Sequence, residues 1–301
     1  MKKAALHNLG CKVNAYETEA MQQILENAGY EIVPFTEYAD VYVVNTCSVT
    51  NMADRKSRQM LHKAKKMNPD AIVVGAGCYV QTKEAEALLD DTVDIVIGNN
   101  KKHELLSMLE AYENDHGKCG NVIDINHEKQ EYEEMFLERT AEHTRAFIKV
   151  QDGCNQFCSY CIIPFARGRV RSRNSEDVIR EVKRLAEHGF REIVLTGIHL
   201  SSYGVDTGDD LLHLIREVHK VLPDTAIWLG GPEVSYDARK VLEEHPEVTG
   251  VMKGEGEVTF LELAGFYLEG ISELAKIEGI TYRDGCLLYT SPSPRDGLLS
   301  R

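Results

Sequence analysis

The sequence predicts an α/β protein that opens with a parallel sheet flanked by helices and continues into the start of a β/α barrel. Two rhythms and one placement carry that expectation. Across residues 1–125, short apolar runs alternate with helical stretches: "AALHNL", a helix near 15–28, "VYVVNT", a helix near 52–67, "AIVVGAG", a helix near 82–89, then "VDIVIG". Such alternation means parallel strands with helices on both faces. After residue 145 it resumes as "RAFIKVQ", a loop rich in cysteine, a helix near 175–189, "REIVLTG" and a helix near 209–220. Between the two, residues 126–144 are acidic, show no clear strand and read as a linker. The placement is that of the cysteines, which follow strand after strand.

The bulk properties narrow the setting. With 301 residues, 43% hydrophobic and 27% charged, the chain has room for two or three domains of ordinary globular composition. No apolar run approaches the roughly 18 residues of a membrane span, and "MKKAALHNLGCK" lacks the apolar stretch of a signal peptide. A cytoplasmic protein without membrane contact is expected, and disulfides are not. Eight cysteines in a reducing compartment then read as metal ligands or reactive thiols. A net charge of −14 speaks against a surface that grips nucleic acid everywhere, but not against local patches. In "ARGRVRSR", Arg167, Arg169, Arg171 and Arg173 alternate as they would on one face of an extended strand. In "RKSRQMLHKAKK", Arg55, Arg58, His62 and Lys65 share a helix face, which is equally well a solvated one.

The cysteines form two groups of three. Cys154, Cys158 and Cys161 lie in "DGCNQFCSYCIIP", just past the first strand of the barrel, where such folds keep their active sites. A structural zinc would require a fourth protein ligand nearby, and none follows. The second group is dispersed: Cys11 in "LGC", Cys47 in "NTC" and Cys78 in "AGC", each just past the carboxyl end of a strand. In an open parallel sheet those ends share one edge, so the three are expected to converge. The alternative is three unrelated loop cysteines, but exposed reduced thiols without a metal would invite oxidation. Cys119, in "HGKCGN", has no such strand before it and reads as incidental.

The Cys-x-x-x-Cys-x-x-Cys loop after a barrel strand resembles the radical S-adenosylmethionine superfamily, in which three thiolates hold a four-iron, four-sulfur cluster and leave one iron open. That likeness implies that S-adenosylmethionine chelates the open iron and yields a deoxyadenosyl radical. It also implies that Tyr160 helps seat the adenine and that Thr196 and Gly197, in "LTG", contact the cofactor. Together, "LGCKVNAYET", "VVNTCSVT", "GAGCYVQ", the cysteine loop and "LTGIHLSSYG" resemble the methylthiotransferases that modify tRNA, over about residues 2–220. "GCKVN" and "TGIHLSSYG" resemble the branch acting on N6-threonylcarbamoyladenosine. By that likeness Cys11, Cys47 and Cys78 hold a second [4Fe-4S] cluster that delivers sulfur, with Asn14 near it. It further implies methylthiolation at adenine C2 in the tRNA anticodon loop. Arg167, Arg169, Arg171 and Arg173 would then meet phosphates, and a flavodoxin or ferredoxin would donate electrons.

The pattern changes after about residue 220. Residues 221–285, with "WLGGPEVS" and "MKGEGEVTF", resemble part of a cobalamin-binding-type domain of another radical S-adenosylmethionine group. No Asp-x-His-x-x-Gly is present there to place a histidine on cobalt, and His245 reads as a surface residue. Residues 286–301, "CLLYTSPSPRDGLLSR", resemble translated adaptor sequence and are left out of the expected fold. The expectation is therefore a chimeric chain: domain 1–125, linker 126–144, an incomplete radical barrel over 145–220, a partial α/β segment over 221–285, and a non-native tail. A barrel with unfilled interior layers predicts a folded N-terminal domain with little or no turnover. Two rivals remain: a cobalamin-dependent radical enzyme, and a non-catalytic protein that binds iron-sulfur clusters or RNA.

Overall fold

Strands buried on both faces need cover on both, and the first 121 residues are arranged to give it. The computed structural model describes residues 1–127, 130–137, 145–270 and 273–291. Its chain falls into two compact units, Met1–Leu211 and Leu212–Arg301. The first begins with β1 (Lys3–Asn8), α1 (Lys12–Asn27), β2 (Glu31–Ile32), β3 (Val41–Thr46), α2 (Asn51–Met67), β4 (Ile72–Gly77), α3 (Cys78–Thr82), α4 (Glu84–Leu89), β5 (Ile95–Ile97), α5 (Leu105–Asp115) and β6 (Cys119–Asn121). These strands form one sheet in the order β2-β1-β3-β4-β5-β6, parallel throughout. The order reverses direction beside β1, which opens a crevice at the carboxyl edge between β1 and β3.

The two-residue period of the strands sorts their side chains. Ala4, Val41, Val43, Val74, Ala76, Ile95 and Ile97 pack under α1 and α5, against Tyr16, Met21, Leu25, Leu105 and Leu109. The intervening Ala5, Tyr42, Val44, Val73 and Val96 pack under α2, α3 and α4, against Leu61, Ala64, Tyr79, Val80 and Ala87. Each large apolar side chain so buried contributes on the order of 1.5–3 kcal/mol. Helix α2 starts where the sequence expects it because the Thr50 hydroxyl accepts from Ala53 N at 3.1 Å, and Lys65 and Lys66 face the negative end of its dipole. The short edge strands β2 and β6 carry no alternating pattern and were not expected. Cys119 opens β6, at the end of the sheet opposite the strand tips.

Residues 130–137 differ from the expected linker. Met135 and Leu137 are fully enclosed in the α1 face of the core, the Tyr16 hydroxyl donates to Met135 O, and Tyr132 donates to Lys149 O at 2.5 Å. Every second residue of "EMFL" turns inward, so an apolar strap lies hidden in an acidic composition. The rest of the expected linker that falls on residues 128–129 and 138–144 lies outside the described residues.

The unit continues with β7 (Arg145–Asp152), α6 (Ile163–Arg167), β8 (Arg171–Ser172), α7 (Ser175–Glu187) and β9 (Glu192–Gly197). β7 and β9 pair in parallel, and the two residues of β8 run antiparallel to β7. This is the opening of a β/α barrel, as the sequence predicts.

The second unit holds α8 (Leu211–Val221), β10 (Trp228–Gly230), α9 (Pro232–Ser235), α10 (Ala238–Glu244), β11 (Gly250–Met252), α11 (Glu257–Glu269), β12 (Ile280–Asp284) and β13 (Leu287–Thr290). β10 and β11 are parallel, and β12 and β13 add antiparallel strands beside them. Leu263, Ile277, Ile280 and Tyr282 form its core with Trp228, Met252 and Phe266. The start of the supposed tail pairs here: β13 lies against β12, and Tyr289 stacks on Tyr282 with centroids 5.4 Å apart. A run of Leu-Leu-Tyr-Thr has enough β propensity to complete a hairpin whatever its origin. Residues 292–301 lie outside the described residues. Among the described residues, no helix is long and apolar enough to cross a membrane.

If the strap belongs to the core, Leu137→Ala costs about 2–5 kcal/mol of unfolding free energy in urea denaturation. A change within about 0.5 kcal/mol, the usual effect at an exposed site, would return the segment to the status of a linker.

Candidate functional site

The strand tips bring Cys11, Cys47 and Cys78 together. β1, β3 and β4 are adjacent, and the register pairs Thr46 with Gly77, so Cys47 and Cys78 leave the sheet side by side. Cys11 arrives after Gly10, whose φ of +107° swings the chain over the sheet edge. A Cβ at Gly10 would sit 2.9 Å from Cys47 Sγ, so only glycine lets the first loop pass the second thiol. Burial pushes the Cys47 thiol up; the neighbouring Cys78 and Cys11 push it further, against a backbone hydrogen bond at Val49 and the Arg167 charge. The three sulfurs are thus near enough to feel one another.

A polar framework fixes these tips. Asn14 Nδ2 donates to Leu9 O at 2.7 Å and Thr46 O at 3.0 Å, tying the end of β1 to that of β3. Thr46 Oγ1 donates to Ala76 O at 2.5 Å and accepts from Tyr79 N at 3.2 Å, tying β3 to β4. Ser57 exchanges hydrogen bonds with the Cys47 backbone at 3.0 and 3.1 Å. Asn14 is buried with its side-chain amide committed to the chain, so it holds loops in place rather than reaching toward a ligand.

Asn99 is the residue that sequence reasoning missed. It is fully buried, donates to Cys78 Sγ at 3.5 Å and to Ala166 O at 2.7 Å, and accepts from Lys102 Nζ at 2.6 Å. It thereby joins the dispersed cysteines to α6, just past the contiguous ones. Its signal was the polar "NN" directly after the apolar "VDIVIG", at the tip of a fourth strand.

The contiguous trio stands on a loop pinned at its base. Gly153 and Gly168 both have positive φ, +72° and +73°, where the chain segments touch backbone to backbone. Cys154 N donates to Gly168 O at 3.0 Å, Val170 N to Asn155 Oδ1 at 3.1 Å, and Cys161 N to Cys158 O at 2.9 Å. Cys158 is exposed and Cys154 and Cys161 are half-buried. Tyr160 is 91% exposed. Thr196 is buried at the end of β9, and Gly197 presses against the Gln151 side chain, which leaves no space for a Cβ.

No three His, Cys, Asp or Glu among the described residues are grouped so as to hold a single metal ion. An iron-sulfur cube instead takes each thiolate on a different iron, and three cysteines from separate turns form a donor set of the right softness for it. The glycine-cleared space beside Cys47 Sγ fits the same reading. Cys11, Cys47 and Cys78 would hold one such cluster, and Cys154, Cys158 and Cys161 another.

The arginine run departs from its expected role. It is not a strand with one basic face: Arg167 ends α6, and only Arg171 and Ser172 pair as β8. Arg167 is wholly buried, donating from Nη1 to Glu17 Oε1 at 2.9 Å and to Asp152 at 3.1 Å, and from Nη2 to Asn14 Oδ1. Lys149 adds contacts to Glu17 at 2.9 Å and Asp152 at 3.2 Å, and Lys102 reaches Glu17 at 2.7 Å. Arg171 is buried 3.5 Å from Asp152. Arg173, also buried, bonds Glu134 at 3.0 Å and Glu181. Charges so desolvated cannot also meet solvent-borne phosphates. Arg169 alone of the four is exposed. On α2, Arg55 and Arg58 are exposed, whereas His62 and Lys65 pair with Asp90 and Asp94, both at 2.8 Å.

The network sets its own protonation. Burial alone would raise the Glu17 carboxyl, but Arg167, Lys102 and Lys149 hold it well below the usual carboxylate range. Burial likewise opposes ionisation of Asp152, and Arg167, Lys149 and Arg171 overcome it. Burial would discharge Lys149, and Glu17, Asp152 and Glu133 keep it protonated.

Two family patterns match the chain: the one described as uncharacterized protein family UPF0004 over residues 3–98, and the radical SAM superfamily over residues 148–277. The second runs past residue 220, where the sequence reading ends the barrel. The chain is 46% identical over 209 residues to threonylcarbamoyladenosine tRNA methylthiotransferase MtaB of Bacillus subtilis (strain 168), covering 69% of this chain and 46% of that protein. With the protein of the same name from Aquifex aeolicus (strain VF5) it shares 46% over 219 residues, 73% and 53% of the two chains. With a tRNA-2-methylthio-N(6)-dimethylallyladenosine synthase of Sulfurihydrogenibium sp. (strain YO3AOP1) it shares 36% over 260 residues, 82% and 58%. The chain spans about half the length of these curated relatives. Among solved structures, the radical S-adenosylmethionine methyltransferase TsrM from Kitasatospora setae is similar with a TM-score of 0.55 at 16% identity, over 88% of this chain and 61% of that one. At that identity the likeness is one of fold.

Both network carboxyls have folded values depressed below the unfolded value near pH 4. They therefore add stability that is complete above about pH 4 and is lost as pH falls toward their lowered folded values. Arg167→Met is expected to cost about 3–5 kcal/mol at neutral pH, by leaving buried carboxylates without their main cation, and to flatten the acid limb of the stability curve. Denaturant unfolding between pH 3 and 7 measures both; a variant as stable as the parent would show that the network carries no net load.

Proposed function

We propose that the chain is of the radical SAM methylthiotransferase lineage, to which its sequence is similar, and that the reaction of that lineage is insertion of a methylthio group at C2 of N6-threonylcarbamoyladenosine next to the anticodon of tRNA. The observation that carries this reading is the pair of three-cysteine loops in one compact unit, joined through Asn99 and Arg167. An aromatic C–H at adenine C2 is neither acidic nor a leaving position, so acid-base side chains cannot open it. Bound at the two cysteine trios, iron-sulfur clusters together with S-adenosylmethionine supply the radical chemistry and the sulfur that this substitution requires.

The chain's own residues supply placement and electrostatics. Asn99 donates to the Cys78 sulfur, and the Arg167 cation lies near both Cys47 and Cys78. Asn14, Thr46 and Ser57 hold the tips in register, so the dispersed trio is organised before anything binds. On the other loop, exposed Tyr160 is free to cover an adenine, and Thr196 and Gly197 end the strand that pairs with β7, on the same carboxyl edge as the loop. Contact with the RNA backbone falls to the exposed Arg55 and Arg58. The target base must leave its stack to reach a radical site, which single-stranded loops permit at least cost. The setting is cytoplasmic, with a flavodoxin or ferredoxin as electron donor.

Anaerobic reconstitution is expected to load about eight irons per chain, two clusters of four. Replacing Cys11, Cys47 and Cys78 by alanine should leave about four, still carried by the contiguous loop. Mass spectrometry of hypomodified tRNA incubated with the loaded chain should show little or no methylthio product at threonylcarbamoyladenosine, as the unfilled barrel layers predict; product formed at full rate would overturn that expectation. Iron content undiminished in the triple variant would remove the second cluster and the sulfur insertion with it.

A further inference from the structure

Of the four arginines in "ARGRVRSR", three are spent inside the protein and one is not. Arg169 is exposed, and no carboxylate pairs with it among the described residues. Its guanidinium lies over the Phe157 ring, 4.3 Å from the centroid, and Phe157 in turn meets Phe165 edge to face at 5.7 Å. Phe157 sits inside the cysteine loop, between Cys154 and Cys158, at a φ of +44° that a bulky side chain rarely adopts. Phe165 is 55% exposed.

The backbone under Arg169 is fixed as well. Gly168 O accepts from Cys154 N, Asn155 Oδ1 accepts from Val170 N, and Arg169 O accepts from Arg171 Nη1 at 3.2 Å. Because Arg171 is itself buried against Asp152, the chain on both sides of Arg169 is anchored to the base of the loop. A solvated surface arginine needs none of this. A stacked guanidinium keeps its charge, because an aromatic face orients a cation without neutralising it. The result is a preorganised, unneutralised fork at the rim of the loop that holds Cys154, Cys158 and Cys161.

We propose that Arg169 is the specificity residue that binds the carboxylate of the target adenosine's N6 substituent. The proposal rests on the tRNA reading above and deepens it. A threonylcarbamoyl group ends in a free carboxylate, whereas a dimethylallyl group is wholly apolar, and relatives of this chain carry names for each. A guanidinium fork matches a carboxylate in two parallel hydrogen bonds. A site built around such a pair rejects an analogue that lacks the partner more sharply than an apolar pocket rejects a polar one. The exposed Phe165 offers a ring against which the splayed base can rest.

The test uses the anaerobically reconstituted full chain and three anticodon stem-loop RNAs of one sequence, bearing threonylcarbamoyladenosine, dimethylallyladenosine or plain adenosine at the target position. Affinities are read by fluorescence anisotropy at one salt concentration. The parent is expected to favour the carboxylate-bearing RNA by about tenfold or more, the scale of one charge-assisted contact. Arg169→Gln should bring that ratio close to one while leaving the other two affinities unchanged, and Arg169→Lys should keep part of it. Matching iron content and thermal melting confirm that the variants are folded. An equal weakening for all three RNAs would identify a phosphate contact and overturn the proposal. So would an undiminished preference in Arg169→Gln, or a parent with no preference at all. A parent that binds none of the RNAs sinks the tRNA reading, and this proposal falls with it.

Discussion

A guanidinium that is fully removed from water survives only where carboxylates and carbonyls replace every lost hydration contact, and Arg167 depends on two other parts of the chain for them. Asn14 and Glu17 come from α1, which Cys11 immediately precedes; Asp152 ends β7, two residues before Cys154; Arg167 itself lies six residues after Cys161. One cation therefore touches the flanks of both cysteine loops. Removing water from so many charges is expensive, and it is tolerable only because Lys149 and Lys102 complete the set around Glu17 and Asp152. The price in stability fixes the relative position of two loops that lie about 140 residues apart in sequence.

The rest of the site follows from that join. The sheet places three cysteines at adjacent strand tips, but it does not by itself say where the loop after β7 must lie. The ion network, the Asn99 bridge from Cys78 to Ala166 and the apolar strap of Met135 and Leu137 supply that information by three different forces. A charge-assisted cluster gives direction, an amide gives register, and burial of apolar area gives most of the free energy. In the proposed reaction sulfur must pass between sites held by the two loops, and a fixed spacing is what such a transfer demands.

Much of this was legible in the sequence, and what was not has identifiable causes. The strands "VYVVNT" and "AIVVGAG" are continuous apolar runs and announced a sheet covered on both faces, so the convergence of Cys11, Cys47 and Cys78 followed from parallel order alone. The alternation in "ARGRVRSR" was misleading: Arg167 faces Glu17, Arg171 faces Asp152 across the β7–β8 pair and Arg173 faces Glu134 on the strap, and no local pattern records such partners. The strap was hidden because four acidic residues surround its two buried apolar ones in "EYEEMFLE". Asn99 was missed because a lone polar residue after a strand reads as a turn. In each case the unreadable part is a contact between segments remote in sequence, which composition and periodicity do not encode.

Native-state hydrogen exchange tests the join most directly. If the network makes the strand-tip sheet and the barrel opening a single cooperative body, the core amides of β3, β4 and β7 exchange through one opening with a common free energy and a common denaturant slope. Protection of β7 that is lost at a distinctly lower free energy, with β3 and β4 still closed, would contradict the account.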